Sequence, residues 1–171
     1  MTDEKAPRSA KGWHIADWPP LAWVETGIKL AAIVIGIVTL VQALVSGEYR
    51  FPAGLRLIQF STLLVLSIAL LAAILDRYRQ REIVAMVFVV LSNLAHWGMV
   101  VSLASIPGPG WLLLAFVALM LAGDAVKLVS LQVHGFNVRD TAQVMLFGLT
   151  SFYIVGYLVV LLSELILMFG Q

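Results

Sequence analysis

The sequence predicts an all-α integral membrane protein, five transmembrane helices in a compact bundle, and three observations carry that reading. Hydrophobic residues fill 61% of the 171 positions and charged residues only 12%, against roughly 45–50% and 25% in soluble domains. Five apolar runs are each long enough to cross about 30 Å of hydrocarbon at about 1.5 Å per residue. The polar stretches between them are short turns, so no soluble domain fits and any chemistry belongs within or beside the bilayer.

The first segment, 1–20, reads MTDEKAPRSAKGWHIADWPP. It is polar and mixed in charge, and forms either a short interfacial helix with Trp13 and Trp18 in the headgroups or a loosely anchored tail. The apolar run after it is too long for a signal-peptide core, so no cleaved presequence is expected. The transmembrane domain then occupies 21–171. Its first helix, 21–46, is entered through Pro19 and Pro20, which suit a first turn because the missing N–H costs nothing there. GEYRFPAG separates it from a helix at 55–75, and DRYRQRE forms a charged turn before 83–105. IPGPG makes a tight hairpin into 111–133, and HGFNVRD leads to the last helix at 143–169.

Alternate loops face opposite sides, which allows a count of basic residues. Lys5, Arg8, Lys11, Arg77, Arg79, Arg81 and Arg139 fall on one side, and only Arg50 and Arg56 on the other. That asymmetry places the N-terminus in the cytoplasm and the C-terminus on the opposite side, with a bacterial inner membrane as the expected location. The net charge of +1 is scattered over helix ends, so no nucleic-acid partner is expected. With no cysteine, disulfides and thiolate metal sites are excluded.

Four ionisable residues stand within the apolar runs on the cytoplasmic half. Glu25 and Lys29 lie four apart on the first helix, and Asp124 and Lys127 three apart on the fourth. At 1.5 Å per residue their depths are roughly 5, 11, 14 and 9 Å. On antiparallel helices these levels interlock, predicting cross-helix pairs Glu25–Lys127 and Lys29–Asp124 beside the two intrahelical pairs, if the first and fourth helices touch. Ala32 and Gly36 share the arc of Glu25 and Lys29 and are expected to allow that approach. A buried ion-pair cluster is the expected role. An ion or proton path, and snorkelling of Glu25 and the lysines to the interface, are the alternatives. Both charge pairs fall on one side, which argues against an inverted repeat.

Asn93 and His96, roughly 15 and 20 Å deep on the third helix, extend this cluster, with Asn93 level with Asp124. Thr150, Tyr153, Tyr157 and Glu164 align as a polar stripe on the fifth helix, with Glu164 close enough to the outer edge to be hydrated. Arg77, Arg79 and Arg81 are expected to meet anionic lipid or an acidic partner. No cofactor is predicted. A bis-histidine haem needs two ligands at one level, whereas His14, His96 and His134 fall at three, and no histidine–carboxylate spacing reads as a metal site.

Three function classes remain. The favoured one is a non-catalytic membrane subunit, with lipids and either further copies of itself or other membrane proteins as partners. For such docking, Gly148, Gly156 and Ser163 offer a small-residue stripe on the fifth helix. A small oligomeric channel or transporter is the first alternative. A lipid-modifying enzyme using His96 or Glu25 as base is the second, weakened because no nucleophile accompanies them.

Overall fold

The computed structural model describes residues 19–79 and 83–170. The N-terminal segment with His14, Trp13 and Trp18, together with Arg81, lies outside the described residues. Five helices form: α1 Pro20–Ser46, α2 Leu55–Arg79, α3 Ile83–Leu103, α4 Trp111–Val133 and α5 Thr141–Phe169. All five are long and apolar enough to cross a membrane.

Local chemistry sets their ends. Pro20 sits in the first turn of α1, and Gly47 closes it at φ 67°, a left-handed conformation that favours glycine. Asp140 caps α5 by accepting from the backbone N–H groups of Ala142 and Gln143 at 2.9 and 3.3 Å. α2 runs past the expected 75 into the charged turn, where Arg77 and Arg79 occupy its last turn. Cations there face the negative end of the helix dipole.

The helices close into a ring. α1 packs on α3 and α4, α2 on α3 and α5, and α4 on α5. The order around the ring is therefore α1, α3, α2, α5, α4. Successive spans reverse direction, and a closed ring of an odd number of alternating spans must contain one parallel contact. Here it is α1 against α3. The odd-numbered helices begin at what we call the near end, where α2 and α4 finish.

Gly36 of α1 serves that parallel contact rather than the expected one with α4. A Cβ added at Gly36 would lie 2.5 Å from the Ala95 Cβ, and one added at Gly98 would lie 2.1 Å from the Gly36 carbonyl oxygen. Ala32, Gly36, Ala95 and Gly98 are all buried. Parallel helices with their backbones this close leave no room for side chains between them. At the far end, the α1–α2 and α3–α4 loops brace each other through Arg50 N–H to the Ala104 carbonyl (2.7 Å) and Ile106 N–H to the Glu48 carbonyl (3.0 Å).

Candidate functional site

Lys29 is the hub of the near-end cluster. It lies about 14 Å along α1 and Asp124 about 14 Å back from the end of α4, so antiparallel packing brings them level. Lys29 Nζ contacts Asp124 Oδ1 at 2.5 Å and Glu25 Oε1 at 2.7 Å. Lys127 approaches the same Glu25 oxygen at 3.8 Å. α1 reaches α4 here because residue 123 is glycine. A Cβ at Gly123 would lie 2.7 Å from Lys29 Cγ, so the bare backbone forms a notch for the lysine stem. Sequence reasoning passed over Gly123, although a glycine beside a buried carboxylate was the available signal.

Two expected contacts differ. Asp124 turns to Lys29, and no Asp124–Lys127 pair forms among the described residues. Asn93 is buried but makes no hydrogen bond to Asp124, and its side-chain oxygen has no partner among the described residues.

Glu25, Lys29, Asp124 and Lys127 line a cavity of about 300 Å³ to which all five helices contribute. Ala22, Arg77, Ala85 and Leu146 mark its near-end rim. Glu25, Lys29, Asp124 and Lys127 stand along one side, and Leu70, Phe88, Val89, Met120 and Leu149 form apolar walls. Thr26, Ser92, Thr150, Tyr153 and Tyr157 add hydroxyl-bearing side chains to the lining.

Next to the cavity, His96 is fully buried and bridges α3 to α5. Its Nδ1 lies 2.7 Å from the Ser92 carbonyl and its Nε2 2.7 Å from the Tyr157 hydroxyl. A carbonyl only accepts, so Nδ1 carries the proton, and in the singly protonated ring Nε2 accepts from Tyr157. Phe116 packs edge-on against the imidazole at 5.2 Å. Tyr153 donates to the Leu66 carbonyl at 3.2 Å, tying α5 to α2.

The expected α5 stripe divides. Thr150, Tyr153 and Tyr157 line the near-end cavity, while Glu164 belongs to a separate far-end cluster. Glu164 is not hydrated, being 1% exposed. Arg56 donates to it at 2.6 Å and Gln59 at 2.9 Å, and Arg56 also donates to Gln59 at 3.0 Å. Neither Arg56 nor Gln59 was singled out from sequence, although at positions i and i+3 they share a face of α2 at the level of Glu164. Each antiparallel contact between distant helices, α1 with α4 and α2 with α5, thus carries one ionic fastener, at opposite ends of the bundle.

Arg56→Ala should lower stability by about 2–3 kcal/mol, below the usual cost of breaking a buried pair because 32% of the arginine side chain is exposed. An SDS titration from mild detergent measures it. An unchanged midpoint would show that Gln59 alone satisfies Glu164.

The ring is filled by Leu63, Leu66, Met99, Leu113, Phe116 and Val160, all buried. The small-residue stripe expected on α5 for docking is largely consumed inside. Gly156 and Ser163 are buried, and a Cβ at Gly156 would lie 2.9 Å from the Leu66 side chain. Only Gly148 remains exposed. Of the arginines proposed for lipid or partner contact, Arg77 joins the cavity rim and Arg79 is exposed at the end of α2.

Searches against family models, curated proteins and solved structures find no match to this chain.

Proposed function

We propose that the chain is a non-catalytic polytopic membrane subunit that pairs with a second copy of itself through the outward face of α1. The supporting observation is a continuous exposed stripe of Val24, Gly27, Ala31, Val34, Val38 and Val41, spaced alternately by three and four residues. This is the spacing of a helix–helix seam, and its residues are small or β-branched. A Cβ added at Gly27 meets nothing within 4 Å, so the stripe is open at its smallest position. Lipid tails are as apolar as valine, so close backbone approach rather than burial drives such pairing. Two copies in one membrane share an orientation, and a two-fold axis along the membrane normal sets this stripe against itself.

Arg77, Arg79 and Arg139 at the near end, with Lys5, Arg8, Lys11 and Arg81 of the adjoining sequence, support a cytoplasmic near end in a bacterial inner membrane. The ionic fasteners are internal in this reading and hold the ring shut. Glu25 and His96, the residues considered as bases, are engaged by Lys29 and by Tyr157 and Ser92, which favours a non-catalytic role. The cavity favours a second reading, a transporter, while the apolar filling beyond His96 supports a chamber closed at its far side over a pore.

Because the chain has no cysteine, single-cysteine variants report proximity cleanly. Val34→Cys and Val38→Cys should form disulfide-linked dimers in oxidised membranes, and Val155→Cys, on the exposed face of α5, should not. Monomers at both α1 positions, or equal crosslinking at Val155, would remove the pairing proposal.

A further inference from the structure

We infer that the near-end cavity is a binding site for an uncharged amide carried on a small apolar body. Three features of the cavity lead there, and none depends on the assembly role.

The first is charge balance. Below the rim the lining holds two cations, Lys29 and Lys127, and two carboxylates, Glu25 and Asp124. They already neutralise one another. Lys29 contacts Asp124 at 2.5 Å and Glu25 at 2.7 Å, and Lys127 lies 3.8 Å from Glu25. Arg77, at the rim, is engaged in an interaction of its own. A charged ligand would therefore bring an uncompensated ion into a membrane-spanning bundle, where such an ion is costly. An uncharged one leaves the balance intact.

The second is the set of hydrogen-bonding groups still open. Thr26 and Thr150 donate to carbonyls of their own helices, Tyr153 donates to the Leu66 carbonyl and Tyr157 to His96. Below the rim that leaves the Lys127 ammonium and the Ser92 hydroxyl, which donate no hydrogen bond among the described residues. On the acceptor side, the contacts with the two lysines use Oε1 of Glu25 and Oδ1 of Asp124. The second oxygen of each carboxylate accepts no hydrogen bond among the described residues. An amide offers both counterparts on one planar group, a carbonyl oxygen for Lys127 or Ser92 and an N–H for a carboxylate. A ketone would meet the donors alone, and an amine would carry the charge that the lining disfavours.

The third is the remainder of the wall. Leu70, Phe88, Val89, Met120 and Leu149 present hydrocarbon. A volume of about 300 Å³ is at the small end of ligand cavities. A bare amide would leave this wall facing water, whereas a ring or short chain against Phe88 and Met120 would cover it.

Two sources could supply that chemistry, a soluble amide entering from the near end or the amide linkage of a lipid. The test uses the full chain in phosphatidylcholine nanodiscs with benzamide as the probe, and benzoate and benzamidine as anionic and cationic analogues of the same shape. Benzamide should bind saturably by calorimetry, with both analogues weaker by about tenfold or more. Glu25→Gln leaves one cation in surplus and should raise benzoate affinity relative to benzamide by about tenfold. Lys127→Gln keeps an N–H donor, leaves one carboxylate in surplus and should raise benzamidine relative to benzamide by a similar factor. Each is a ratio within one protein, so it stands apart from any loss of stability, which the unfolding midpoint records. Repeating the titration in nanodiscs of sphingomyelin, whose acyl chain is amide-linked, separates the sources. Competition assigns the site to a lipid amide, and unchanged benzamide binding assigns it to a soluble one. A parent protein that binds no benzamide or prefers either charged analogue, or a ratio that stays in place in either folded variant, overturns the inference.

Discussion

Asp124→Leu should destabilise the folded protein by about 3–5 kcal/mol, because it strands the Lys29 ammonium beside a leucine within the bundle. Among the described residues Lys29 contacts two carboxylates, Asp124 Oδ1 at 2.5 Å and Glu25 Oε1 at 2.7 Å, and its side chain is 11% exposed. Glu25 keeps some of the charge neutralised, which places the loss toward the lower part of that range. Asp124→Asn keeps the shape and an acceptor for Lys29, and should cost less than Asp124→Leu. The double variant Lys29→Met, Asp124→Leu removes both charges, and since apolar replacement of a buried pair is often neutral or stabilising, it should recover most of the loss. Unfolding midpoints in an SDS titration measure all three. A single Asp124→Leu variant as stable as the parent would mean that Lys29 reaches water by another route, and that the cluster does not fasten α1 to α4.

Much of this arrangement could be read from the chain, for identifiable reasons. Span lengths follow from apolar runs, and each ionisable residue inside one demands a partner at its own depth. The 1.5 Å rise therefore put Lys29 opposite Asp124 and Lys127 between Glu25 and Lys29 before any packing was known. Depth is a one-dimensional quantity, and sequence supplies it well. Azimuth around the bundle is not. Which neighbour a face meets depends on ring order, so Gly36, expected to ease the approach to α4, meets Ala95 of α3, and Gly156, expected in a docking stripe, meets Leu66. Glu164 failed for the same reason. Its depth allowed hydration, but only the α2–α5 contact shows that Arg56 and Gln59 cover it. The cavity was invisible for a further reason, since it needs all five helices to define it.

The parallel α1–α3 contact gives the sharpest consequence of that ring order. In an exposed helix Gly→Ala stabilises by up to about 1 kcal/mol, because alanine restricts the unfolded chain and favours helix. Gly148→Ala should follow that rule, since a Cβ there meets nothing within 4 Å. Gly98→Ala should reverse its sign. The added methyl would sit 2.1 Å from the Gly36 oxygen and 3.1 Å from the Gly36 carbonyl carbon, atoms of a helical backbone that cannot rotate aside as a side chain would. Relief requires α1 to withdraw from α3. Overpacking of a filled core usually costs about 1–3 kcal/mol and occasionally more, and a clash with backbone places Gly98→Ala at about 3 kcal/mol or above. Gly36→Ala meets Ala95 at 2.5 Å and should behave alike. Because α1 also carries Glu25 and Lys29, its withdrawal would loosen their contacts with α4, so the unfolding midpoint in an SDS titration should fall well below that of the parent. If Gly98→Ala proves as stable as Gly148→Ala, the helices do not approach this closely, and the ring order around α1 would have to be redrawn.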